Sequence, residues 1–136
     1  MTDLQAAISA AASGMRAQTV RMRVAAENVA NANSSGTNPR EEPFRRRIPL
    51  LESTTLSTGA QGVRVTGAAS DMAAFRQEFN PSHPAADPDG YVRLPNVDAL
   101  VEMMDLRDAT RAYEANLNMI EAARAMTTRA LDLLRR

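Results

Sequence analysis

All seven prolines of this 136-residue chain fall between Pro39 and Pro95, and both ends are free of them. Proline removes a backbone donor and clashes with the preceding helical turn, so long helices are confined to the stretches that lack it. Five of the six glycines share the middle region, the exception being Gly14. The chain therefore reads as three segments. Residues 1–33 and 96–136 are the helices of one core domain, and residues 34–95 are a β-rich, loop-rich insertion between them.

Both proline-free ends carry a heptad. In the first, apolar positions recur at Leu4, Ile8, Ala11, Met15, Met22, Ala25, Val29 and Ala32. With Gln18 filling the one polar position, the spacing alternates between four and three, the period of a coiled-coil seam. Thr2 and Gln5 stand at capping-box spacing, and a helix from Thr2 to about Ala32 would be about 45 Å long. In the second end the track runs Met103, Leu106, Thr110, Tyr113, Leu117, Ile120, Arg124, Thr127, Leu131, Leu134. Asn96 or Asp98 suits its N-cap, Asp98 and Glu102 its positive pole, and Arg135 and Arg136 its negative pole. Between them, short extended stretches are expected at residues 44–51, 62–66, 74–79 and 90–94. Val63 and Val65 alternate there with Arg64 and Thr66. The expected fold is α+β: two long heptad helices packed as an antiparallel, coiled-coil-like pair, with a small β-rich insertion joining them.

Composition narrows the function. Aromatics are 4% of the chain and Trp is absent, which suits thin helix–helix contacts better than a thick core. Two helices alone cannot bury both seams and the remaining alanine faces fully, so the pattern fits either a small helical bundle in a monomer or an oligomer whose added helices supply the missing surface. The charge balance is 16 basic against 16 acidic residues, which disfavours nucleic acid as a partner. The absence of Cys excludes disulfides and thiol chemistry. No apolar run approaches the ~20 residues of a membrane span, so no membrane insertion is expected. Asp3 and Gln5 stand where a signal's basic and apolar regions would begin, so the chain, if it leaves the cytoplasm, is expected to do so without a cleavable signal.

Candidate chemistry is sparse. His83, the one histidine, sits between Pro81-Ser82 and Pro84 with no acid at helical spacing, and reads as a turn residue. Asp87-Pro88-Asp89-Gly90 lacks the third acid and distal Glu of a calcium loop and reads as a tight turn before a strand. Arg45-Arg46-Arg47 beside Glu41 and Glu42 reads as a solvated or interface patch, and Gly36 belongs to no phosphate-loop pattern. No catalytic set, metal site or cofactor is expected. Asn28 and Asn31 are different. Asn is a poor helix former, yet both lie in the last turns of the first helix, where a docking surface between subunits would explain them. With the seams, this makes Leu4, Ile8, Met15, Met22, Asn28, Val29, Asn31 and Asn33 candidate subunit-interface residues on the first helix. On the second they are Leu106, Tyr113, Asn116, Leu117, Ile120, Leu131 and Leu134.

The stretch SGMRAQTVRMRVAAENVANAN, Ser13 to Asn33, resembles the N-terminal signature of the bacterial flagellar rod and hook proteins. PSHPAADPDGYVRLPNVD, Pro81 to Asp98, and EMMDLRDATRAYEAN, Glu102 to Asn116, resemble the proximal rod members of that axial family. The likeness covers nearly the whole chain. Ser82 stands where the family's turn usually has Gly, and residues 34–42 match only loosely. The resemblance implies a structural protein exported through the flagellar type III apparatus and assembled helically into a tube crossing the periplasm. Its terminal helices would line the core and its β-rich part would face outward. The implied partners are other proximal and distal rod proteins, export-gate and basal-body ring components, and further copies within the rod. The implied role is a drive shaft that transmits torque and houses the export channel. A non-flagellar coiled-coil adaptor or oligomerisation protein would share the heptads alone, and a small hydrolase would have to use His83 with Asp87 or Asp89.

Overall fold

A computed structural model describes residues 2–135. Met1, Arg136 and the side chain of Thr2 lie outside the described residues, and with them the Thr2 cap and the Arg136 charge. The elements run α1 (Thr2–Ala30), β1 (Arg47–Thr55), β2 (Gln61–Ser70), β3 (Arg76–Phe79), β4 (Tyr91–Leu94) and α2 (Ala99–Leu134). Helices fill the proline-free ends and all four expected strands are present. β1 and β2 are each longer than expected and pair antiparallel, with a bulge between Leu50 and Leu51. β3 and β4 form a second antiparallel pair, in which Phe79 faces Tyr91 edge-on, 5.3 Å between ring centres.

The two helices pack antiparallel. Gly14 lies against Asn116, the Arg21 guanidinium reaches Asp105 at 3.3 Å, and the Asn28 amide donates to Glu102 at 3.1 Å. As α1 numbers rise, α2 numbers fall. The buried row of α2 is Glu102, Ala109 and Ala123, with Asn116 half-buried between them. Half-buried Leu106, Tyr113, Ile120 and Thr127 form its second row. The sequence reading therefore had one row of this seam right and the other one residue out. Met103, Thr110, Leu117 and Arg124 are exposed, and their smaller or polar predecessors face α1. The reason is distance. A Cβ built on Gly14 would sit 2.8 Å from the Asn116 amide nitrogen, and contact this close leaves no room for bulky side chains.

α1 is buried on two sides. Ala11, Ala25 and Ala32 belong to the expected track, whereas Ser13, Ala17, Val24 and Asn28 form a second buried set. The β1–β2 hairpin covers part of that second side. The Ser13 hydroxyl accepts from the Val63 N–H at 3.1 Å while donating to the Ala10 carbonyl at 2.7 Å, and Ser9 bonds Thr58 at 2.7 Å. Gly62 makes the approach possible, since a Cβ there would lie 2.7 Å from the Ser13 oxygen.

Asp98 is the N-cap of α2, accepting from Leu100 N–H at 3.0 Å and from Val101 N–H. The other candidate, Asn96, is used elsewhere. It accepts from Arg46 N–H and donates to the Asp71 and Ala73 carbonyls. Asp87–Gly90 is the expected tight turn, with Gly90 N–H donating to the Asp87 carbonyl at 2.9 Å and Gly90 at φ +86. Ser82 keeps a negative φ, so its turn does not require the family's glycine. Arg76 ties the second hairpin to the helix ends, donating to the Pro95 carbonyl at 3.0 Å and the Ala32 carbonyl at 2.5 Å.

Residues 37–41, loosely matched to the family, form a small clasp. The Glu41 carboxylate accepts from Thr37 N–H at 2.8 Å and from its hydroxyl at 2.9 Å. These bonds, the backbone one first, hold the Glu41 pKa below its ordinary value. A carboxylate lowered by folding contributes fully above its unfolded pKa and loses that contribution as pH falls through the folded one. The Thr37 amide resonance should therefore move on acidification below the ordinary carboxylate range, and Glu41→Gln should abolish the movement. A flat Thr37 resonance in the wild-type chain would refute the clasp. The seam gives a second expectation. Ala109, 0% exposed, should tolerate no bulk: Ala109→Leu should cost about 1–3 kcal/mol by urea unfolding, while Thr110→Leu next to it stays within about 0.5 kcal/mol.

Candidate assembly interface

The residues expected to mark a subunit joint divide, on the structure, into an internal joint and an external surface. Asn28 belongs to the internal one. It is 0% exposed. Its amide oxygen accepts from Arg47 N–H at 2.9 Å, and its amide nitrogen donates to the Arg47 carbonyl at 2.9 Å and to Glu102 at 3.1 Å. One side chain thus pairs with the first residue of β1 as a neighbouring strand would, while holding α2. The docking role expected for Asn28 is corrected by this geometry: its amide is spent inside the chain. Asn31 donates to the Glu27 carbonyl at 2.8 Å, and exposed Asn33 accepts from Arg76.

Glu102 was expected to complement the positive pole of α2. It stands in that first turn and is also 1% exposed, with one carboxylate oxygen on Asn28 and the other accepting from the Arg46 guanidinium. Arg46 also approaches Asp71 at 3.7 Å. The Arg46 pKa is raised, first by the hydrogen bond to Glu102 and against burial, with the charges of Glu102, Asp71 and Asp105 adding. A buried carboxylate needs such partners, because desolvation alone would cost several kcal/mol. The arginine run is therefore no single patch. Arg46 turns inward, Arg45 stacks on the Phe75 ring at 4.2 Å, and Arg47 reaches Glu27 at 3.4 Å.

The external surface is apolar and lies mainly on α2. Val101, Met104, Ala115, Met119, Ala122, Met126 and Leu133 are all exposed, and their spacing places them along one side of the helix. Met104 is 60% exposed. Such an apolar stripe, interrupted by Asp108 and Arg111 between Met104 and Ala115, marks a candidate interaction surface. Sequence reasoning missed it because a flanking stripe reads as noise beside the stronger heptad. Leu117, Leu131 and Leu134 are also exposed. Leu4, Ile8, Met15, Met22, Val29, Leu106, Tyr113, Asn116 and Ile120 are half-buried along the two helices.

Among the described residues no group of three or more His, Cys, Asp or Glu is placed to hold a metal ion. No described helix is long and apolar enough to cross a membrane. His83 serves its turn, its Nδ1 accepting from Ala85 N–H at 3.0 Å and its Nε2 lying 3.1 Å from the Ser35 hydroxyl.

Comparison with known proteins gives this geometry a context. The family model for the flagellar basal body rod FlgEFG protein C-terminal matches residues 89–133, which hold β4 and nearly all of α2. A flagellar basal-body rod protein FlgC of Agrobacterium fabrum is 40% identical over 136 residues, covering 99% of this chain and 98% of its own. The chain belongs to the FlgC family of flagellar basal-body rod proteins. A FlgC of Bacillus subtilis is 34% identical over 142 residues, covering 93% of this chain and 95% of its own. A FlgC of Salmonella typhimurium is 34% identical over 124 residues, covering 90% and 92%. The likeness spans both helices and the insertion.

The two asparagines should separate in measurement. Asn28→Ala strands a buried carboxylate and two backbone groups, so urea unfolding should show a loss of roughly 1–3 kcal/mol or more. Asn31→Ala should change stability by no more than about 0.5 kcal/mol. Equal effects would remove the joint from this description.

Proposed function

We propose that this chain is a structural subunit of the proximal part of the flagellar rod. It stacks with other rod proteins, and with further copies of itself, into a hollow shaft that crosses the periplasm, carries torque and surrounds the export channel. The full-length likeness to FlgC proteins carries this reading, and the uncovered apolar stripe supports it. Helices that pair through one thin seam and leave another apolar side bare suit a subunit completed by its neighbours. In this assignment the helix pair faces the shaft's core and the β1–β2 hairpin projects outward. Partners are the adjoining proximal and distal rod proteins, with export-gate and ring components at the base. The chain works by packing, with no chemical step.

The heptads alone would equally suit a coiled-coil adaptor. That alternative predicts a closed oligomer of the isolated chain by light scattering, whereas a rod subunit stays largely monomeric until its neighbours are present. A deletion strain should be non-motile, with basal bodies lacking a complete rod in electron micrographs, and the wild-type chain should restore both. Complementation with Met104→Glu/Met119→Glu should leave monomer stability within about 0.5 kcal/mol and still fail to restore swimming. Intact rods in the deletion strain would remove the assignment.

A further inference from the structure

Sulfur in this chain is carried by methionine alone, eight residues against no cysteine. Packing sorts the described methionines into two groups. Met15 and Met22 are half-buried along α1, and the Met22 sulfur accepts from the Thr110 hydroxyl of α2 at 3.5 Å. Met72, Met103, Met104, Met119 and Met126 are between 54% and 77% exposed. Of these, Met104, Met119 and Met126 are the bulkiest part of the α2 stripe. Their spacing places them within about 60° of one another around the helix.

A thioether this open is a soft nucleophile that hydrogen peroxide oxidises without a catalyst. A sulfur lone pair attacks one peroxide oxygen, and the S–O bond forms as the O–O bond breaks. The departing hydroxide takes the proton of the transferred oxygen and leaves as water. The sulfur gives up two electrons and the peroxide gains them. The sulfoxide that results is polar without a net charge, and sulfoxide reductases return it to the thioether at the expense of thiols. The buried row of α2, Glu102, Ala109 and Ala123, holds no sulfur, so oxidation of the stripe leaves the helix pair closed.

We propose that Met104, Met119 and Met126 form a reversible oxidation site for hydrogen peroxide, and that their oxidation keeps the free subunit out of the rod without unfolding it. The inference rests on the rod reading and adds to it a chemical state in which the subunit cannot join. A flexible, polarisable thioether adapts to the shape of more than one neighbour. That capacity ends when oxygen is added. Each sulfoxide buried without a donor weakens a contact by about tenfold, and three lie on one side of one helix. A leucine stripe would bury a similar apolar volume and take no oxygen. The site is open in the free chain, so the time between folding and incorporation is when the peroxide acts.

Hydrogen peroxide treatment of the isolated chain, followed by peptide mapping in the mass spectrometer, should place oxygen on Met104, Met119 and Met126 at about threefold the rate of Met22 or faster. A chain oxidised at the exposed methionines and not at Met22 should unfold at the same urea midpoint as the untreated chain. Equal rates at Met22, or a lowered midpoint, would overturn the site. In cells, glutamine stands in for the neutral, polar sulfoxide and leucine for the apolar thioether. Complementation of the deletion strain with Met104→Gln/Met119→Gln/Met126→Gln should give about tenfold fewer complete rods or worse, although the purified variant unfolds at the wild-type midpoint. The matching triple Leu variant, and Met72→Gln away from the stripe, should build rods at the wild-type number. Wild-type rod numbers with the triple Gln variant would overturn the exclusion and leave the rod reading standing, since the deletion strain itself decides that reading. Loss of rods with the triple Leu variant as well would show that shape and not polarity governs the stripe, and would overturn it too.

Discussion

The Asn28 amide, bonded to both backbone groups of Arg47 and to the Glu102 carboxylate, is the contact on which the remaining structure depends. α1, α2 and the first residue of β1 meet there, and Arg46 with Asp71 extends the network to the far end of β2. A two-stranded hairpin has little stability alone. Fixed at its base by this joint and along α1 by Ser13 and Ser9, the hairpin takes a set angle to the helix pair. Each member is satisfied by another, so the buried carboxylate is tolerated where an unpaired one would not be.

The same economy of space governs the helices. Close approach at Gly14 and Ala109 admits small and polar residues between α1 and α2, which pushes the bulky apolar side chains outward. An ordinary monomer would place Met104, Met119 and Met126 inside. Here they line the outside of α2, left there by the same packing choice that closes the helix pair. This member of the FlgC family has its own joint sealed and bulky apolar side chains on its outside.

Much of this was legible in the sequence. Proline placement set the three segments, and the turn at Asp87–Gly90 followed from its residue types. The period of α2 was right while its phase was half wrong, because a hydrophobic track points to bulky residues and this interface selects the small ones beside them. Asn28 stood out as a misfit in a helix, yet its partners lie at Arg47 and Glu102, far along the chain, and no local pattern reveals them. Glu102 read as a pole charge for the same reason. The register of the two helices rests on contacts between residues far apart in the chain, Gly14 with Asn116 and Asn28 with Glu102, which no local pattern supplies.

Amide hydrogen exchange of the isolated chain tests the joint most directly, since protection reports the free energy of local opening. The Arg47 amide, which has only a side chain to hold it, should exchange as slowly as amides in the middle of α1 and α2, with Leu133 and Leu134 in the fast class. Rapid exchange at Arg47 while the helix centres remain protected would show that the hairpin opens independently of the helices, and the account of a single sealed joint would be wrong.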